Sequence, residues 1–326
     1  MKVIIYAAVD VFYYSFYIEG FYKVFGRNNV DFQSSAFPSF PERTFAAIVQ
    51  NKNEEIKVAI DAFDSPRMNE ELANWSDIYG KVNYQSDKIP TGFSEKVKPI
   101  GPSFGIRIWN LPQLLYYSVV NYRKAKGLIY MKENFFKNYW RQYRRLPLKK
   151  YQPNNKSDHN YIYFISSLWK KEDRVNRKRA EFILACRSMD EINFEGGFAP
   201  RSDDDTLSYD KLIANRIGLK DYIRKIKKSI LVFNTPAVED CHGWKLAEYL
   251  ALGKAIISTR MFNEFPVDLV NGKHLYILDK NEYLEKVIQK ISQNPDFRSS
   301  LERNARSYYE HNLRPEIVIY SLLKNS

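Results

Sequence analysis

The chain has 326 residues, of which 44% are apolar and 15% aromatic, and it carries a formal net charge of +12. Disordered chains are poor in aromatic residues, so this composition indicates a folded protein, long enough for two domains because single cores stop growing at about 250–300 residues. The two cysteines, Cys186 and Cys241, exclude a disulfide framework and favour a reducing compartment, and no apolar run reaches the ~20 residues of a membrane span.

The first half of the chain alternates strand-like and helix-like segments. Residues 2–8 ("KVIIYAA") predict a first strand, and we expect no leader peptide there because Asp10 interrupts the apolar run and no cleavage site follows. The further elements that we predict are a helix ending at Gly26, a strand over 29–37, a helix over 41–55, strands over 56–63 and 77–85, and a helix over 111–126. This alternation predicts a parallel sheet with helices on both faces.

A polar segment at 149–160 ("KKYQPNNKSDHN") is the best candidate for a linker, and the pattern restarts after it. The second series consists of strands over 161–169, 192–198, 230–236 and 254–259, and helices over 173–189, 220–229, 244–252, 281–293 and 295–312. The predicted fold class is α/β, with two doubly wound domains. We predict domains over 1–152 and 153–300, with 301–326 forming a terminal helix that packs back toward the first domain.

The segment 242–259 ("HGWKLAEYLALGKAIIST") predicts a short helix, a glycine stop at Gly253 and a buried strand. Leu246 and Leu250 share the predicted buried face. Lys245 and Glu248 share another face, tilted toward the helix N-terminus, and we expect them to point toward a crevice at the strand ends. The alternative is a surface ion pair three residues apart, worth roughly 0.2–0.5 kcal/mol.

This segment, together with 262–278 ("FNEFPVDLVNGKHLYIL"), resembles the donor half of GT-B glycosyltransferases, which have two Rossmann-like domains facing a cleft. The family pattern is Lys-x-x-Glu-Tyr-Leu-Ala-x-Gly-Lys-Pro-Val-Ile, and Ala255 replaces its proline. The resemblance is specific over about 235–280 and diffuse elsewhere. Parts of the first half, such as "GPSFGIRIWNLP" (101–112), resemble glycosyltransferases of bacterial surface-polysaccharide clusters.

The resemblance implies roles for four residues of this segment. It implies that Glu248 binds the ribose of a nucleotide sugar and that Lys245 lies near the phosphates. Asp240 stands eight residues before Glu248, where retaining members have the first Glu of a Glu-x7-Glu motif. Aspartate is shorter than glutamate, so the stereochemical outcome stays open. His242, at the helix N-terminus, is a candidate for contact with the donor sugar.

Other donor-site candidates follow the first two strands of the second half. The resemblance implies that the loop after the first strand grips the diphosphate through serine hydroxyls and basic side chains. The candidates are Ser166, Ser167, Lys170, Lys171, Arg174 and Arg177, of which we favour Ser167, Lys171 and Arg177. Gly197 follows in the next strand, where the backbone could approach the base; the alternatives are a solvated helix face for the basic residues and an ordinary turn for the glycine.

Inverting sugar transfer also needs a base for the acceptor hydroxyl. Asp10, after the first strand, and Asp64, after the third, are the better candidates in the first half, although both positions suit helix caps and turns as well. The acidic run 202–206 ("SDDDT") follows a loop, so we do not interpret it as a metal site. The GT-B resemblance implies a metal-independent enzyme without a cofactor, whose donor substrate is the nucleotide-diphosphate sugar.

Residues 123–150 contain ten basic residues and one acid, which accounts for +9 of the net charge. Aromatic residues lie at helical spacing among them, at Phe136, Tyr139, Trp140 and Tyr143. Such a helix suits an anionic membrane surface. The alternative is that the aromatic side chains pack on the first domain. We find no nucleic-acid motif and expect no nucleic-acid partner.

The leading hypothesis is a glycosyltransferase that moves a sugar from a nucleotide-diphosphate sugar to a glycan or lipid-linked acceptor in capsule, lipopolysaccharide or exopolysaccharide synthesis. We expect it in the cytoplasm, with peripheral contact at the inner membrane face. Two alternatives remain open: a nucleotide-sugar epimerase of the same fold, and a basic binding protein without enzymatic activity. The donor sugar, the nucleotide base, the acceptor and the oligomeric state are open as well.

Overall fold

The computed structural model describes residues 1–41, 43–51, 54–153, 157–169, 172–199 and 207–324. The chain divides into two compact units. Unit 1 comprises Met1–Lys150, Asn263–Val267 and His311–Ser326, and unit 2 comprises Tyr151–Phe262 and Asp268–Glu310. The chain therefore enters unit 1 three times.

Unit 1 is built on one six-stranded sheet. Its strands are β1 (Lys2–Tyr6), β2 (Val30–Gln33), β3 (Phe45–Gln50), β4 (Glu55–Asp61), β5 (Ile78–Lys81) and β6 (Val97–Pro99). Its helices are α1 (Val11–Phe25), α2 (Glu70–Trp75), α3 (Leu111–Lys124), α4 (Lys132–Tyr143) and α10 (Pro315–Lys324). The strand order is β2-β1-β3-β4-β5-β6, and every pairing is parallel except those of β3.

The predicted helix over 41–55 is wrong, because this segment contains β3, which lies antiparallel between β1 and β4. Phe45 to Val49 are all buried. A continuous apolar run of this kind suits a central strand covered on both faces, and a one-faced helix would leave part of it in water. Gln50 pairs with Glu55, so β3 and β4 are antiparallel neighbours that are also consecutive in sequence. The sheet of unit 1 is therefore mixed, whereas we had predicted a parallel one.

Helix α1 ends before Gly26, as predicted, with φ of 83° at that glycine. The helix packs closely against α10, which belongs to unit 1 although it lies near the end of the chain. A Cβ at Gly20 would lie 2.5 Å from the carbonyl oxygen of Pro315. Lys23 and Glu316 form an ion pair across the same contact, with Nζ and Oε2 3.1 Å apart.

A buried ion pair fixes the loop that follows β4. Lys81 Nζ lies 2.9 Å from Asp61 Oδ2 and also donates to the carbonyl oxygen of Ser65 at 2.7 Å. The Tyr79 hydroxyl donates to the same carboxylate at 2.6 Å. Both charged side chains are almost completely buried. The ends of β4 and β5 therefore hold the loop over 62–69 in place.

The strands described in unit 2 all pair in parallel. Its strands are β7 (Tyr161–Ser166), β8 (Asn193–Phe198), β9 (Val232–Asn234), β10 (Ile256–Ser258) and β11 (Tyr276–Ile277). Its helices are α5 (Asp173–Ser188), α6 (Leu219–Lys228), α7 (Trp244–Ala251), α8 (Leu284–Ser292) and α9 (Pro295–Tyr308). These elements confirm the predicted α/β class.

The strands of unit 2 run outward in both directions from β7. One pair is β7-β8, and the other three strands have the order β11-β10-β9. The backbone N–H of Ile230, just before β9, donates to the Tyr161 carbonyl at 2.9 Å, so β9 adjoins β7. Phe182 and Phe233 stack in the core, with ring centroids 4.4 Å apart. The point between β7 and β9 is a topological switch point, where open α/β sheets bind ligands.

Candidate functional site at the strand ends of unit 2

Helix α7 begins beside the carboxyl ends of β7 and β9. It follows Gly243, as the sequence predicted, and its buried residues include Leu246, Tyr249 and Leu250. A helix N-terminus has free backbone N–H groups and a partial positive charge, which suit an anion. Lys245 and Glu248 extend this polar surface. We call Arg179, Lys245, Glu248 and the loop over 235–243 the α7 site.

Lys245 turns toward the end of β7, and its Nζ donates to the carbonyl oxygen of Ile165. The ammonium group lies 5.3 Å from the centroid of the Phe164 ring. Burial and the nearby Arg179 guanidinium lower the pKa of Lys245 to about 7. Glu248 has a smaller effect in the opposite direction. A lysine that is held partly neutral in the free protein gains from a bound anion, which favours its charged form.

Glu248 is buried, with 4% of its surface exposed. That burial excludes the alternative of an exposed surface pair between Lys245 and Glu248. A buried carboxylate is costly unless polar groups surround it. Glu248, which we expected to bind a ribose, is therefore a buried member of the α7 site.

Arg179 is a member of the α7 site that our sequence analysis missed. Its guanidinium donates to Thr235 Oγ1 at 2.9 Å, to the Ser167 carbonyl at 3.1 Å and to the Pro236 carbonyl at 3.4 Å. It thus joins the loops that follow β7 and β9. Burial lowers the pKa of Arg179 to about 10, against smaller opposing effects of Tyr249, Glu172 and Cys241. The side chain remains charged at neutral pH.

The loop between β9 and α7 carries two strained residues. Glu239 and Asp240 have φ values of 53° and 58°, in the left-handed region that non-glycine residues seldom adopt. Asp240 forms an ion pair with Arg174, and the Glu239 N–H donates to Glu172 Oε1 at 3.1 Å. His242 follows and is buried. Strain of this kind persists where surrounding contacts impose it, often at functional sites.

A cavity of about 640 Å³ opens beside this loop. Thr235, Thr259 and Leu278 line it, and they directly follow β9, β10 and β11 respectively. Phe262 lies on another wall, with the guanidinium groups of Arg174 and Arg260 at 5.2 and 5.6 Å from its ring centroid. The volume is within the usual range of small-molecule sites, about 300–1,000 Å³.

The remaining donor-site candidates are at different positions. Ser167 accepts a hydrogen bond from Arg179 through its carbonyl oxygen. Arg177 is exposed on α5, and Gly197 lies within β8. A Cβ at Gly197 would lie 2.2 Å from the Leu212 carbonyl oxygen, so a close backbone approach already explains this glycine. Lys170, Lys171 and the acidic run 202–206 lie outside the described residues.

The two candidates for a base belong to unit 1. Asp10 caps α1, because its Oδ1 accepts from the N–H of Phe12 at 3.0 Å and its Oδ2 accepts from Asn138 at 2.8 Å. The side chain is buried, and burial raises the pKa of Asp10, with backbone hydrogen bonds opposing the shift. Asp64 is exposed on the loop after β4.

The basic aromatic segment has one buried side and one exposed side. Tyr139 is buried, its ring stacks on Trp109 at 5.5 Å, and its hydroxyl accepts from Asn121. Phe136 and Trp140 of the same helix are exposed, by 39% and 51%. The packing interpretation therefore applies to one face of this helix, and membrane contact through the exposed face stays a prediction.

No helix in the described ranges is both long enough and apolar enough to cross a membrane. No group of three or more histidine, cysteine, aspartate or glutamate side chains in the same ranges is arranged to hold a metal ion.

Neither the family models nor the curated proteins that we searched give a match to this chain. Solved structures do match, at low identity. TarM is 12% identical with a TM-score of 0.40, over 53% of this chain and 36% of its own, so the chain spans about a third of its length. HepE from Anabaena, in complex with UDP-glucose, is 12% identical with a TM-score of 0.39, over 78% of this chain and 79% of its own. WaaG, a glycosyltransferase involved in lipopolysaccharide biosynthesis, is 12% identical with a TM-score of 0.39, over 76% and 78%.

Proposed function

We propose that the protein is a glycosyltransferase that uses a nucleotide-diphosphate sugar. The observation that carries this proposal is the α7 site, where a buried arginine, a lysine with a lowered pKa and a buried glutamate meet at a topological switch point. The sequence of the same segment resembles the donor half of GT-B enzymes, so geometry and motif support one interpretation.

The groups of the α7 site match the parts of such a donor. Arg179 and Lys245 supply positive charge for a diphosphate, and the N-terminus of α7 supplies N–H groups. Glu248 can accept hydrogen bonds from the two ribose hydroxyls. The adjacent cavity of about 640 Å³ has room for a nucleoside. We assign Asp240 and His242, on the strained loop, to the sugar.

In the proposed reaction the bond between the anomeric carbon and the diphosphate oxygen breaks, and its electron pair leaves with the diphosphate. The acceptor hydroxyl forms the new bond to that carbon and gives up its proton. Positive charge placed at the departing oxygen lowers the barrier, because negative charge accumulates there in the transition state. Asp10 is the candidate base that we favour, since burial raises its pKa toward the working range of a base.

The acceptor that we propose is a glycan or a lipid-linked sugar of a surface polysaccharide. The exposed face of α4 supports a peripheral membrane contact, because Phe136 and Trp140 alternate there with Lys137 and Arg141. Aromatic and basic side chains on one helix face are typical of helices that lie on anionic membranes. This arrangement supports our proposal that the enzyme works at the inner membrane face.

The central test is nucleotide binding by calorimetry, with UDP, GDP, ADP and CDP as separate ligands. We expect at least one to bind the wild type, and Glu248→Ala to lower that affinity at least tenfold, since ribose hydroxyls lose their acceptor. Glu302→Ala is the matched control, because this glutamate belongs to α9 and lies near Lys254. Equal affinities for the wild type and Glu248→Ala would refute the assignment. Product analysis without an acceptor separates transfer from epimerisation.

A further inference from the structure

A second pocket lies in unit 1, around Asp10, with a volume of about 160 Å³. This volume is below the usual range of sites for drug-sized ligands, about 300–1,000 Å³, so the pocket suits a small group such as one sugar ring. We call it the Asp10 pocket. Among the residues that the structure describes, its charged lining consists of three basic side chains, Arg43, Lys137 and Arg141, and one acid, Asp10.

The charges around Asp10 are not balanced. Three cations face one carboxylate, which leaves an excess of about two positive charges in the lining. The carboxylate itself accepts from Asn138, and Asn138 accepts in turn from Arg141 at 3.3 Å. Lys137 and Arg141 are both exposed, so their charged groups are accessible to a ligand. A neutral sugar would not compensate this excess positive charge, whereas an anionic ligand would.

The lining of the Asp10 pocket also contains aromatic side chains. Phe40 and Phe135 are buried, and Tyr13 is partly exposed. The Arg43 guanidinium lies 6.0 Å from the centroid of the Tyr13 ring, so charge and aromatic surface are adjacent. Aromatic faces suit the apolar face of a sugar ring, while the basic groups suit a phosphate or carboxylate on that ring.

We propose that the Asp10 pocket binds an anionic sugar acceptor, that is, a hydroxyl compound that carries a phosphate or a carboxylate. Arg43, Lys137 and Arg141 hold the anionic group, the aromatic side chains support the ring, and Asp10 takes a hydroxyl proton. That the ligand is the acceptor of a sugar transfer rests on the proposed function. That the ligand is an anionic sugar rests on the residues of unit 1 alone.

The test compares glucose 6-phosphate, glucuronate, inorganic phosphate and glucose as ligands in calorimetry with the full chain. We expect one of the two anionic sugars to bind at least tenfold more tightly than glucose and than inorganic phosphate, and their relative affinities identify phosphate or carboxylate as the preferred group. The Arg43→Gln/Arg141→Gln variant should lose that binding by at least tenfold, about the effect of one charge-assisted hydrogen bond. Lys149→Gln/Lys150→Gln removes the same charge from exposed positions outside the pocket and should change affinity less than twofold.

Three results would overturn the inference. They are equal affinities for glucose and the anionic sugars, equal losses in the two double variants, and inorganic phosphate binding as tightly as the sugars. Nucleotide binding is measured on the same samples, and circular dichroism verifies that each variant is folded. If UDP and the other nucleotides fail to bind while an anionic sugar binds, the proposed function fails and the anion site stands.

Discussion

Lys245 should take up a proton when a nucleotide diphosphate binds at the α7 site. Its pKa in the free protein is about 7, against an ordinary value of 10.5. At pH 8 only about one tenth of the molecules therefore carry a charged Lys245. A diphosphate near the amine favours the charged form and moves the pKa back up, so binding at pH 8 should take up about 0.9 proton for each nucleotide bound.

The affinity should fall by about tenfold for each pH unit above 7, because binding takes up one proton and the proton concentration falls tenfold for each pH unit. Work between pH 7.5 and 9 avoids titration of the terminal phosphate, whose second pKa is about 6. Calorimetry at pH 8 in buffers of different ionisation enthalpy measures the proton uptake directly, as the slope of the observed binding enthalpy against the ionisation enthalpy.

The control for this experiment is Lys245→Arg. An arginine stays charged throughout this pH range, so the variant should bind the nucleotide without proton uptake. A wild-type slope of zero would refute the lowered pKa of Lys245. A slope that persists in Lys245→Arg would show that another group titrates. The same reasoning sets the sign for stability: the unfolded chain binds more protons between pH 7 and 10.5, so the contribution of Lys245 to the free energy of unfolding should rise with pH in that window.

Two further predictions concern unit 1. Lys81→Met should lower the free energy of unfolding by roughly 3–5 kcal/mol in urea titrations, because it leaves the buried Asp61 carboxylate without its cation. Lys88→Met breaks an exposed pair with Asp87 and should cost less than about 1 kcal/mol, so equal effects would contradict this reasoning. Gly20→Ala should lower the melting temperature, since its Cβ would lie 2.5 Å from the Pro315 carbonyl oxygen. Gly92→Ala should leave the melting temperature unchanged, because no atom lies within 4 Å of the added Cβ. Similar shifts for the two variants would contradict the close contact between α1 and α10.

The sequence predicted the elements of unit 2 well because their periodicity and their stop signals agree. Gly253 ends α7, and the apolar positions of α7 match its buried face. In unit 1 the prediction of a helix over 41–55 was wrong. Alanine and glutamate favour a helix locally, and β3 is a strand because it pairs with β1, which is distant in sequence, and with β4, which is the next strand along the chain.

Arg179 shows what a closer inspection of periodicity would have found. It lies four residues after Val175 and three before Phe182, on the buried face of α5, which is apolar apart from Arg179 and Asn176. A charged residue on a buried helix face needs buried partners, so this position was a stronger candidate than the exposed Arg177. Lys81 and Asp61 carried no comparable signal, since their pairing follows from the parallel contact between β4 and β5.

The return of the chain to unit 1 at its last helix has a consequence for synthesis on the ribosome. Helix α1 is synthesised before unit 2, whereas its partner α10 follows only after the whole of unit 2. Domains fold as units and the N-terminal one usually folds first during synthesis. Here unit 2 has all its segments before unit 1 does. The apolar surface of α1 that α10 covers therefore stays exposed until α10 has been synthesised. We expect chaperones to bind the first unit during this interval.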